Sequence, residues 1–225
     1  LVAFLSPVSV LFIESWKKLV SDIVLSVIRK ELRKQTVRLE NQMIFSREIS
    51  HQKSLLKKCV TDITEIKAKD GKRYVSAIFN CFDSAVLRLA METTMKATLC
   101  QHTVENAFIA YPEIRGAVLH SNRGTQYTSE LYRSTLRKYE ITQSMNSAGG
   151  RCHDNARCES MWPCLKTELL YDRYNSEKLI VSELKSLICR YFISYWNNRR
   201  ICTTNGGLPP MIKRQRYYDS LRIAA

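Results

Sequence analysis

Three short blocks of the sequence hold side chains that could bind a cation or a phosphate: Thr61-Asp62-Ile63-Thr64, His120-Ser121-Asn122-Arg123-Gly124-Thr125-Gln126-Tyr127, and Gly150-Arg151-Cys152-His153-Asp154-Asn155-Ala156-Arg157-Cys158-Glu159-Ser160. Asp62 stands in an apolar strand, where a carboxylate is disfavoured unless something pairs with it. It therefore marks either a site or an ion pair with a residue such as lysine. Taken alone, Asn122 two residues before Gly124 reads as a turn residue, and Glu159 as a solvated residue on a helix. His120, His153, Cys152 and Cys158 raise zinc as a possibility, but their spacing does not match the paired spacings of zinc ligands. Gly149-Gly150 lacks the Lys-Ser/Thr of a P-loop and reads as a flexible loop. Lys166 follows Glu159 by seven residues, two helical turns, so both share one helical face. It is a candidate for a phosphate contact, as is Arg157, against the plain reading of an exposed lysine.

The elements that must carry these blocks follow from periodicity. Apolar runs at Val60–Ile66 and Tyr74–Phe82 flank a Lys-Asp-Gly-Lys turn at 69–72 and predict a hairpin, which Val86–Met91 extends to a three-stranded meander. A helix is expected over Thr98–Tyr111, stopped by Pro112, then a buried strand at Ala117–Leu119, a helix at Ser129–Tyr139 and a fifth strand at Ile141–Met145. Two helices close the core, about Asp154–Leu170 and Ser176–Trp196. The second carries a stripe of Ile180, Leu184, Leu187, Ile188, Tyr191 and Tyr195. The order βββαβαβαα is that of a mixed α/β sheet covered on both faces.

Composition narrows the partners. The chain has 225 residues, 45% of them hydrophobic, and 35 Lys and Arg against 21 Asp and Glu, a net charge of +14. That surplus points to a polyanion, nucleic acid before an anionic membrane surface. The eight cysteines are scattered without a CxxC pair and read as reduced thiols of a cytoplasmic protein. Leu1–Ile13 is apolar but too short to span a bilayer, and it lacks the flanks of a signal peptide. Residues 1–57 read as a basic, mainly helical segment and linker, 58–212 as the core, and 213–225 as a basic C-terminal tail whose Lys213, Arg214 and Arg216 are expected to add to DNA binding.

Together the three blocks, in this order, resemble the transposases of bacterial insertion sequences that have an Asp-Asp-Glu integrase core. In that family they read approximately TDIT, HSDxGxQY and DNAxxES, and a stretch like Tyr195-Trp196-Asn197-Asn198-Arg199-Arg200 follows. The resemblance covers about Val60–Pro210. It implies a ribonuclease H-like fold, a mixed five-stranded sheet flanked by helices. It also implies a site at Asp62, Asn122 and Glu159 for two Mg²⁺ or Mn²⁺ ions, which clamp the attacking and leaving oxygens of a phosphoryl transfer. Double-stranded DNA, as element ends and target, is the implied partner, with Lys166, Arg157 and Arg123 placed to contact it. Self-association is implied by the same analogy.

Asn122 departs from the family pattern. Its amide is neutral and has a single oxygen, so it cannot bridge two cations or offset their charge as a carboxylate does. The resemblance therefore allows an active phosphoryl-transfer enzyme, a DNA-binding remnant without activity, or a scaffold protein. Pro163 adds a structural expectation. Its missing N–H is the one that would bond to the carbonyl of Glu159, so a bend or break is expected between Glu159 and Pro163.

Overall fold

Alternation along the central strands decides which side of the sheet each residue serves. The computed structural model describes residues 55–145, 156–171 and 173–223, with only the backbone of 156–159. The basic N-terminal segment, the Gly149-Gly150 loop, Cys152 and His153 lie outside the described residues. Five strands are ordered β3-β2-β1-β4-β5: β1 Lys58–Ala68, β2 Gly71–Asn80, β3 Val86–Glu92, β4 Val118–Ser121 and β5 Thr142–Met145. β1, β2 and β3 pair antiparallel, while β4 and β5 add in parallel. This is the mixed five-stranded sheet of a ribonuclease H-like fold.

Val60, Val75, Ala77, Phe79 and Val86 point to one face, where they pack against Trp162, Leu165, Ile188, Phe192 and Trp196. Cys59, Ile78, Leu87 and Leu119 point to the other, against Val104, Ala107, Tyr132 and Leu136. Val75 to Asn80 are buried without interruption because β2 is covered on both faces. The covering helices are α1 Ala97–Ala110 and α3 Glu130–Lys138 on the second face, and α4 Ala156–Leu165 and α5 Val181–Cys189 on the first. A short helix, α2 Thr125–Thr128, precedes α3. The Ser129 hydroxyl caps α3 by accepting the Tyr132 N–H at 3.2 Å. At the hairpin tip, Gly71 has φ 142°, a conformation open to glycine. Asp70 Oδ1 accepts the Val181 N–H at 2.8 Å and fastens that tip to the start of α5.

Two expectations change. The helix is not broken at Pro163. α Winding runs from Ala156 to Leu165 with the proline inside it, and the departure comes next, as a π-wound stretch at Lys166–Tyr171. Pro163 is exposed, so the carbonyl it leaves unbonded can turn to water, and wider winding absorbs the misfit that would otherwise end the helix. The basic C-terminal tail is instead a helix, α6 Pro210–Ile223, and two of its three singled-out cations are used inside the fold. Arg214 donates from Nε to Asp83 Oδ2 at 2.7 Å, with both side chains buried. Lys213 donates to the Phe82 carbonyl at 2.6 Å and to Asn205 Oδ1 at 3.1 Å.

Asp83 also accepts from Asn80 Nδ2 at 2.8 Å and from the Ala85 N–H at 2.9 Å. Burial is the largest influence and works against the Arg214 charge, but the bond to Asp83 together with the charges of Asp83, Tyr111 and Tyr218 outweighs it and holds its pKa above the ordinary value. Removing one partner of such a pair strands a buried charge, which costs about 3–5 kcal/mol. Arg214→Met should therefore lower stability in urea unfolding by about that amount. The double variant Asp83→Asn, Arg214→Met should recover much of the loss. A single variant as stable as the unaltered chain would show that α6 does not hold the β2–β3 turn.

Candidate functional site

The parallel register of β1 and β4 brings the first two sequence blocks together. Val60 lies beside His120, so two steps further along each chain Asp62 meets Asn122. Asn122 Nδ2 donates to Asp62 Oδ1 at 3.1 Å. The same amide uses its oxygen elsewhere, as Asn122 Oδ1 accepts the Gly124 N–H at 2.8 Å. The loop is close-packed: a Cβ at 124 would stand 2.7 Å from Gln126 Oε1 and 3.0 Å from Asn122 Oδ1, so a larger residue would have to displace these side-chain ends. The loop thus fixes the amide with its N–H toward the carboxylate and its oxygen toward the backbone. Alternation with Val60 and Ile66 sets Asp62 on the face that α4 covers.

Glu159 lies on α4; its side chain and that of Arg157 are outside the described atoms. Lys166 opens the π-wound stretch and lines a cleft of about 540 Å³ with Glu65, Lys67 and Glu177. Arg123 is exposed in the loop after β4. His120 is buried, with Nδ1 at 2.9 Å from Ser144 Oγ on β5. It therefore serves the sheet beside the site. Behind the pair stand Cys100, Tyr127 and Tyr132. Burial is the main cause that pushes the Cys100 thiol up to about 12 and both phenols well above their usual range. They stay neutral at physiological pH and give Asp62 no counter-charge.

The described donors at this point are the Asp62 carboxylate and the Asn122 amide. Among the described residues no three His, Cys, Asp or Glu side chains converge on one point. Where the second block meets the first, Asp62 faces an N–H in place of a second carboxylate. Sequence reasoning did not single out Glu168, which accepts from Arg200 Nε at 3.0 Å and from Tyr191 Oη at 2.7 Å. Nothing in the residues around Glu168 distinguishes it from a solvated helix residue, since its partners lie 23 and 32 positions away.

Asn122→Asp replaces the donor with a second carboxylate about 3 Å from Asp62, and two such groups cannot both ionise without a cation. A carboxylate whose pKa is raised by folding destabilises the folded state at neutral pH. The variant should therefore melt below the unaltered chain at pH 7.5 without metal and regain stability with Mg²⁺ or Mn²⁺, by about 2.7 kcal/mol at a hundredfold excess over Kd. The unaltered chain should respond far less. A melting temperature of the variant that ignores metal would show that position 122 does not face a cation site.

The family model described as "Integrase core domain" matches residues 52–150. The chain is 33% identical over 162 residues to the putative transposase InsK of insertion sequence IS150 from Escherichia coli K12, covering 72% of this chain and 55% of that protein. It is 36% identical over 155 residues to a probable transposase of IS1353 from Shigella flexneri, covering 68% of this chain and 29% of that protein. The chain thus spans about half of the first relative and under a third of the second. A chain of the simian T-cell lymphotropic virus intasome, solved with the PP2A regulatory subunit B56 gamma, superposes with a TM-score of 0.53 at 16% identity, covering 64% of this chain and 49% of that one. That likeness is one of fold. The sequence matches support a bacterial insertion-sequence transposase with an integrase core.

Proposed function

We propose that this chain is a DNA-binding protein of a transposition system in which strand cleavage and joining have been lost at position 122. The observation that carries the reading is the amide of Asn122, which offers its N–H to Asp62 and its oxygen to Gly124. A pair of divalent ions in such a site supplies positive charge to the attacking and leaving oxygens of the phosphodiester. Asp62 and Glu159 together bring two negative charges against four, and a neutral amide adds none.

What the chain retains is its binding chemistry. The net charge of +14 favours a polyanion, and displacing counterions from duplex DNA needs no active site. Lys166, Arg157 and Arg123 would contact phosphates near the pair, with duplex DNA, as element end or target, the partner. Self-association follows by analogy with the family. Among the described residues no helix is long and apolar enough to cross a membrane, and the charge pattern suits a protein of the cytoplasm.

Affinity for a duplex taken from the sequence flanking its gene should fall steeply between about 50 and 200 mM salt. No nicking of that duplex should appear with Mg²⁺ or Mn²⁺, and Asn122→Asp should restore it. Cleavage by the unaltered chain that vanishes in Asp62→Ala would overturn the inert reading. Affinity insensitive to salt would favour a scaffold that uses the fold alone.

A further inference from the structure

A second cationic surface lies away from the Asp62–Asn122 pair. The π-wound end of α4 and the π-wound Arg190–Trp196 stretch after α5 border a cleft of about 890 Å³, lined among others by Glu168, Arg173, Tyr174, Arg190, Tyr195 and Arg199. Arg173, Arg190 and Arg199 are exposed, and none of their side chains makes an ion pair with a carboxylate among the described residues. Among the described residues that line the cleft, the one carboxylate is already occupied. Arg200 donates to Glu168 Oε1 from Nη2 at 2.6 Å, and Tyr191 Oη donates to Oε2 at 2.7 Å. Burial would raise the Glu168 pKa, but these bonds outweigh it and hold it below the ordinary value. Glu168 is therefore charged, and its charge is matched by Arg200.

The cleft thus presents three exposed guanidinium groups, of which Arg173 also acts on Glu168, beside the half-exposed rings of Tyr174, 40% exposed, and Tyr195, 37% exposed. Guanidinium groups match phosphate oxygens in geometry, and phenolic hydroxyls add donors to the same oxygens. This cleft shares no lining residue with the one that Lys166 lines with Glu65, Lys67 and Glu177.

We infer that this cleft is a second DNA contact, which holds the backbone of duplex DNA apart from the strand at the Asp62–Asn122 pair. The inference rests on the DNA-binding reading above and adds a location to it.

The test is the triple variant Arg173→Glu, Arg190→Glu, Arg199→Glu, titrated with a random 30-base-pair duplex by fluorescence anisotropy at several salt concentrations. A control of equal charge change, Arg133→Glu, Arg137→Glu, Lys138→Glu on α3, removes the effect of net charge. The cleft variant should bind at least tenfold more weakly than the control, and its slope of log affinity against log salt should be shallower than the unaltered chain's by about 2.7, roughly 0.9 for each lost phosphate contact. If the glutamate variant fails to fold, the same three positions changed to Gln should give the same ordering. Equal losses in cleft variant and control would overturn the inference and leave the DNA-binding reading standing. Salt-insensitive binding by the unaltered chain would overturn both.

Discussion

The pairing of two parallel strands positions the candidate site of this chain. β1 and β4 pair with Val60 beside His120, and that register alone carries Asp62 and Asn122, 60 positions apart, into hydrogen-bond contact. Slipping a strand by one residue would send its buried side chains to the opposite face, so the two-sided core fixes the register and the register fixes the site. Once the positions are set, chemistry depends on the atoms placed there. A carboxylate at 122 would share a cation with Asp62; the amide shares a proton with it.

The rest of the fold keeps that edge in place from both directions. On one face α4 and the segment after α5 bring Trp162, Phe192 and Trp196 onto Phe79 and Val86. The Asn197 side chain pairs with both the N–H and the carbonyl of Val86 at 2.9 Å. Trp196 Nε1 donates to the Ser84 carbonyl at 2.9 Å. With Asp83, Arg214, Asn205 and Lys213 these bonds enclose the turn between β2 and β3 in a buried polar cluster. These bonds tie the C-terminal helix to the sheet, although Arg214 Nη2 meets no acceptor among the described residues.

How much of this could be read from the sequence differs by element. The hairpin was legible because Asp70-Gly71 interrupts two alternating apolar runs, and α1 because Pro112 follows its periodic stretch. Asp62 and position 122 were legible as a pair only through the resemblance, since nothing local in an Asn before Gly124 marks more than a turn. The C-terminal helix was not legible. Its apolar residues do not form one stripe, and its anchor is Arg214, a charged residue that periodicity counts as surface. The stripe on the last core helix was half right. Leu184, Ile188 and Tyr191 are buried, but Ile180 and Tyr195 are 42% and 37% exposed, while Phe192 and Trp196 take the buried places. π Winding from Arg190 onward shifts the phase of the helix, and a pattern with a period of 3.6 residues cannot anticipate that. The role of Pro163 was misread for a related reason: a helix can widen where it would otherwise break.

The central claim is that Asn122 leaves this integrase core unable to hold two divalent ions. Calorimetric titration of the unaltered chain and of Asn122→Asp with Mn²⁺ tests it directly. The account predicts at most one weakly bound ion for the unaltered chain and a second, tighter binding event in the variant. Two ions bound with equal strength by both proteins would contradict it.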